Sequence, residues 1–171
     1  MITQAQLRLM ARYNRWQNRS IFNAASQLDD AARRADRGAF FGSIHATLAH
    51  TLWADRAWMS RLAGLPMPQG KGNDPVFLDS DSWDTLCTGR EAFDAWLIDW
   101  ADNITEADLA GDLHWTSVAA RADFDTPRWV CFTHVFNHQI HHRGQAHALI
   151  TAAGIKPEDT DIVFMPEPAW D

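Results

Sequence analysis

The segment from Thr126 to Ala153 restricts the fold more than any other part of the chain. Thr126 can cap it, Pro127 suits a first helical turn, and Gly154 supplies a stop, so the spacing predicts one long helix. That helix is apolar on both sides. Phe132, Phe136, Ile140 and Ile150 lie on one face, while Cys131, Val135, Leu149 and Ala152 surround a ladder of histidines on the other. A helix that is apolar all round must be covered all round. The segment therefore has to sit among other helices, and the face left over would be covered by a second copy of the chain, which predicts a homodimer.

The rest of the sequence supplies the partners. A first helix is expected from Thr3, capped by its hydroxyl with Gln6 reaching back, through Leu7, Met10, Trp16 and Ile21 to about Leu28, ending at Asp29 and Asp30. A second runs from Ser43 as cap to Ala63, stopped by Gly64 and Pro66. A third opens at Ser82, carries Trp83, Leu86, Phe93, Leu97 and Ile98 at helical spacing, and fades near Ile104. Between the second and third lie roughly 17 residues with LPMPQGKGNDPVF at their heart. Extended, they reach roughly 55 Å, more than the ~30 Å of a 20-residue helix, so the third helix can run parallel to the second. The stretch from Leu109 to Phe124, with HWTSVAA, lacks a helical period and reads as a short hairpin or irregular excursion. After Lys156, Pro157, Pro166 and Pro168 predict an extended tail on the surface. The expected fold is an all-α four-helix bundle with a long crossover between helices 2 and 3, in a single domain over residues 1–171. At 171 residues, 46% of them hydrophobic, the chain has enough apolar material for one such core and not for two.

Charge and cysteine content narrow the partners. The net charge is -7 and no run of Lys or Arg matches a row of phosphates, which argues against nucleic acid. Two cysteines are too few for a disulfide framework, no stretch approaches the ~18 apolar residues of a membrane span, and the N-terminus lacks a signal-peptide pattern. A cytoplasmic protein acting on a small molecule is expected. The nine tryptophans and nine phenylalanines are read mainly as core, with a minority lining a pocket.

Five of the eight histidines fall between positions 134 and 147, in THVFNHQIHHRGQAH. Residues four apart on a helix are offset by only ~40° and ~6 Å, so His138 and His142 can converge on one point. His134 extends the ladder, His141 lies to its side, and His147 points to nearly the opposite face. Imidazoles on an apolar stripe must be bonded or ligated, because an unsatisfied buried polar group costs about 1–3 kcal/mol. A metal site of the catalytic type takes three protein ligands and keeps an open position. The second helix offers His45 and His50, ~140° apart and unable to face one ion together. His50 is the better candidate, since Ser43, Ala46, Ala54 and Ala57 on its face let a partner helix approach. His45 is then a packing or supporting residue, and His114, in the irregular excursion, could be a pocket residue. The absence of HExxH and ExxH patterns excludes the common zinc-protease and di-iron arrangements.

Three segments, YNRWQN at Tyr13 to Asn18, IHATLAHTLWADRAW at Ile44 to Trp58, and THVFNHQIHHRGQAHALITAAG at Thr133 to Gly154, make the chain resemble the DinB family of metal-dependent proteins, the four-helix bundles that include the YfiT-like proteins and bacterial thiol transferases. The resemblance implies that His50 joins His138 and His142 as metal ligands, that the ion is divalent, with zinc and nickel first and iron, manganese or copper also open, and that members are usually dimeric. It further implies a transferase or isomerase that uses a low-molecular-weight thiol. A coordinated thiol deprotonates readily, and the thiolate is the nucleophile. Metal-assisted hydrolysis is the first alternative, weakened by the lack of a carboxylate base near the ladder. A non-enzymatic stress-response protein with a structural metal is the second. Around the ligands, Gln145 lies near the ligand azimuth and can orient a ligand or water, Trp53 can wall the cavity, and His134 and His141 are candidates for the pocket or for support. Arg143 could bind a substrate carboxylate or brace the fold, and its azimuth, ~140° from His138, favours the brace; Asn137 is read as a packing or supporting residue and Cys131 as a core thiol.

Overall fold

The computed structural model describes residues 2–117 and 120–166, so Val118, Ala119 and Pro168 lie outside the described residues. In chain order the elements are α1 (Gln4–Ser26), α2 (Asp30–Arg34), α3 (Ile44–Ala63), α4 (Pro75–Leu78), α5 (Trp83–Asn103), α6 (Glu106–Leu109), β1 (Asp112–Ser117), β2 (Ala122–Pro127), α7 (Arg128–Ala152) and a 3-10 turn at Ile162–Phe164. The four long helices are those expected. Thr3 accepts from the amide of Gln6, Ser43 from Ala46 and Ser82 from Thr85, and Gly64 ends α3 in the left-handed conformation with φ 73°. The three side chains thus satisfy amides that have no intrahelical partner.

Four expectations change. The chain is mostly helical rather than all-α, because β1 and β2 form an antiparallel hairpin. The hairpin also moves the start of α7. Thr126 is paired across from Leu113 in β2, and its hydroxyl accepts from the Trp115 indole at 3.0 Å, so it does not cap a helix. The helix begins at Arg128, whose amide donates to the Gly111 carbonyl at 3.0 Å. Asp29 does not simply end the first helix; its side chain accepts from Ala32 and caps the short α2. The crossover after α3 likewise contains a helical turn, α4, capped by Asp74.

α3 packs chiefly on α7 and α1 on α5, with α1 also meeting α7 and α3 meeting α5. Leu7, Ile21, Ile44, Leu48, Leu97 and Phe132 are fully or almost fully buried between them. Trp83, Trp96, Trp100, Trp115 and Trp129 pack half-buried against this core. On α7, Phe132, Phe136 and Ile150 are buried within the single chain, and only Ile140 of the four opposite the histidines is exposed, at 43%. Contrary to expectation, the chain itself covers most of this face, and only the position of Ile140 is left open to a second copy. The tail lies on α1, where Tyr13 donates to the Thr160 carbonyl at 2.8 Å, Gln17 to that of Asp159 at 2.9 Å, and the Glu158 amide to Ser20. No helix among the described residues is long and apolar enough to cross a membrane.

A buried polar network ties all four long helices together. Arg90 on α5 donates to Asp55 on α3 at 2.6 Å and to Asp94 at 2.7 Å. Asp94 also accepts from Asn14 and Asn18 on α1, at 3.1 and 3.0 Å. Arg143 on α7 donates to the side-chain oxygens of the same two asparagines. Arg143 thus braces the fold, as its azimuth suggested. Two arginines and two aspartates balance the charge, and each is at least 95% buried. Desolvation opposes the charge on Arg90, but Asp94 and Asp55 more than offset it, so its pKa is raised.

Candidate metal centre

His138 and His142 lie one turn apart on α7, and the close packing of α3 on α7 carries His50 to them. The small residues beside His50, Ala46, Ala54 and Ala57, are all buried in that contact. The Nε2 atom of His138 is 3.1 Å from Nε2 of His142 and 3.4 Å from Nε2 of His50. The ligand atoms of the three all lie within 4.8 Å of one another, and among the described residues no other His, Cys, Asp or Glu joins the group.

The other ring nitrogens fix which atom faces inward. His50 Nδ1 is 2.5 Å from the Gly72 carbonyl, which can only accept, so the proton sits on Nδ1 and the lone pair on Nε2. His142 Nδ1 is 2.7 Å from Gln145 Oε1, with the amide nitrogen turned 3.2 Å from His141 Nε2; the same reasoning leaves the His142 lone pair on Nε2. Two lone pairs thus point at His138 Nε2, and one proton there cannot satisfy both well. A cation can. For a tetrahedral ion with 2.0–2.1 Å bonds, neighbouring nitrogens are separated by about 3.3–3.4 Å, and the observed 3.1 and 3.4 Å fit that spacing.

Electrostatics keep the imidazoles neutral, the form that binds metal. Burial pushes His50 down to about 4, against a smaller opposing effect of the Gly72 carbonyl. Burial and the neighbouring His142 and His50 push His138 to about 3. His142 is lowered by burial, with the Gln145 bond opposing. Phe41, in the turn before α3, stacks on His50 with ring centroids 3.9 Å apart and meets His142 at 5.4 Å. Neither Phe41 nor Gly72 carries a sequence signal, because both lie in loops whose path follows no periodicity.

The remaining candidates divide into neighbours and outsiders. Gln145 bonds His142, and His141 bonds Gln145 from an exposed position. His134 packs against His138 at 5.5 Å and against Trp58 at 4.8 Å. Trp53 lies over Gly72 and donates to the Gln69 carbonyl at 2.9 Å, so it holds the crossover that touches His50. His45 is fully buried beside Trp83, outside the group of three. His147 borders a groove between α1, α7 and the tail. His114 pairs with Asp125 at 2.9 Å on the exposed hairpin. Asn137 is exposed rather than packed. Cys131 is a buried thiol whose pKa burial raises, which suits a core residue and not a nucleophile.

The sequence model of the DinB family matches residues 1–171. No curated protein matches the chain. Among solved structures, a DinB-like protein from Bacillus cereus, 19% identical, superposes with a TM-score of 0.61 over 84% of this chain and 90% of that one. At that identity the likeness speaks for the fold.

Proposed function

Because the chain belongs to the DinB family, we propose that it is a divalent-metal-dependent enzyme whose ion is held by His50, His138 and His142, and that it transfers or isomerises a small substrate with the help of a low-molecular-weight thiol. The observation that carries this reading is the convergence of His50, His138 and His142, with the Nε2 atoms of His50 and His142 3.4 and 3.1 Å from that of His138 and one ligand atom of each residue within 4.8 Å of the others. Zinc or nickel suits such a site, and affinity there follows the metal more than the protein.

A bound ion would supply the positive charge that keeps a small thiol as its thiolate and leaves one coordination position for it. The chain's own residues do the rest. Gly72 and Gln145 fix the tautomers of His50 and His142, Phe41 stacks on His50 and meets His142, and among the described residues no fourth His, Cys, Asp or Glu joins the group, which supports an open position. That openness favours a catalytic ion over a structural one, whose coordination would be closed.

The four long helices are read as a four-helix bundle with a long crossover, forming one domain over 1–171 that works in the cytoplasm. The homodimer now rests on the exposed strip of Ile140, Gly144 and Ala148 on α7. Elemental analysis of protein purified without added metal, followed by cobalt substitution and titration with small thiols, tests the reading. A thiol-dependent change in the cobalt spectrum is expected. A spectrum unmoved by any thiol would leave the structural-metal alternative.

A further inference from the structure

The crossover between α3 and α5 touches the metal centre through a main-chain atom, the Gly72 carbonyl at 2.5 Å from His50 Nδ1. A histidine ring turns easily about its terminal torsion, where the energy well is broad. Only a bond at Nδ1 fixes both its orientation and its tautomer. The carbonyl can do this only if residue 72 is itself held.

Trp53 supplies that restraint. It lies one turn beyond His50 on α3, and its indole ring covers Gly72 so closely that an added Cβ would stand 2.1 Å from Cε3 and 2.6 Å from Cζ3. Its Nε1 donates to the Gln69 carbonyl at 2.9 Å, so the same side chain grips the segment three residues earlier. The φ of Gly72 lies outside the left-handed range, so its backbone would accept other residues; what demands glycine here is the ring. The adjoining turn is closed by the Asp74 amide on the Lys71 carbonyl at 3.1 Å and by the Phe77 ring against Gly70.

We infer that Trp53 is a positioning residue for the metal centre, acting through Gly72 to hold His50 with its Nε2 lone pair toward His138 and His142. The inference rests on the metal-centre reading above. It differs from treating Trp53 as a cavity wall, because a wall acts on the substrate and leaves metal affinity alone.

Cobalt(II) affinity, measured by competition with a chromophoric chelator at pH 7, together with the visible cobalt spectrum, tests it. Loss of an outer-shell partner of a metal-bound histidine weakens affinity by about 10–100-fold, and Trp53→Ala is expected in that range. Trp53→Phe, which keeps a ring over Gly72 and loses the bond to Gln69, is expected to fold and to lose less, on the order of several-fold. Gly72→Ala should weaken binding in the native background and add little when Trp53 is already alanine, since the methyl group then meets no ring. That non-additivity is the signature of coupling between the two residues. Affinity within about twofold of native in both Trp53→Phe and Gly72→Ala, with an unchanged spectrum and binding still abolished by His138→Ala, would overturn the positioning role alone. Native protein that binds no cobalt, or binds it undiminished after His138→Ala, would overturn the metal centre itself and this inference with it.

Discussion

Replacing Asp94 by alanine should be among the most damaging single changes in this protein. Its carboxylate accepts from Arg90 at 2.7 Å, from Asn14 at 3.1 Å and from Asn18 at 3.0 Å, and all three partners are at least 97% buried. Removing it leaves Arg90 with Asp55 alone and turns a balanced set of two arginines and two aspartates into one with net charge +1. Truncating one partner of a buried ion pair costs about 3–5 kcal/mol, and each orphaned amide donor about 1 kcal/mol more. These costs overlap, because the groups share one network. Asp94 and Arg90 also border a groove of about 400 Å³ between α1 and α5, so the space left by the missing carboxylate would open to water. That favours the lower end, and we expect a loss of about 3–4 kcal/mol, or roughly 10 °C in Tm for a chain of this size. Urea unfolding followed by helical circular dichroism measures it. A loss below about 1 kcal/mol with an unchanged m-value would refute the view that this network holds the four helices in place.

Four further outcomes are expected. Alanine at His50, His138 or His142 should reduce bound metal well below one equivalent, while His45→Ala and His147→Ala leave it unchanged; full occupancy in the triple variant would end the site assignment. The metal-free protein should be acid-sensitive. The pKa values of His50 and His138 fall from 6.5 to about 4 and about 3 on folding, so the unfolded chain binds protons that the folded chain does not. Stability is then complete above pH 6.5 and falls as the pH drops below it, by up to about 3 kcal/mol for His50 alone by pH 4; urea midpoints that are flat between pH 7.5 and 5 would contradict this. Gln145→Leu frees the His142 tautomer and should weaken metal binding about tenfold, with equal affinity of the two proteins as the contrary result in a chelator competition. Sedimentation should give a dimer of the 19.3 kDa chain, and Ile140→Glu should dissociate it; a native monomer at micromolar concentration would rule the dimer out.

Local rules made much of this protein legible. The caps at Thr3, Ser43 and Ser82 depend on bonds between residues three apart and the stop at Gly64 on that residue's own backbone, and they appear where the sequence puts them. The pairing of His138 with His142 is equally local, since the helix itself sets their offset. Thr126 misled because a residue that can cap a helix can also sit in a strand, and the choice fell to its pairing with Leu113, a partner 13 positions away. The buried faces of Phe132, Phe136 and Ile150 were visible as apolar, but not whether this chain or a second copy covers them. His50 could be ranked above His45 by its small neighbours, yet its approach to His138 depends on how α3 lies on α7. The roles of Asn14, Asn18 and Asp94, the Phe41 stack and the Gly72 carbonyl were beyond any sequence rule. Helical period and capping are properties of neighbouring residues and can be read along the chain; the centre itself is a meeting of α3, α7 and two loops, and such long-range contacts are decided only when the whole core packs.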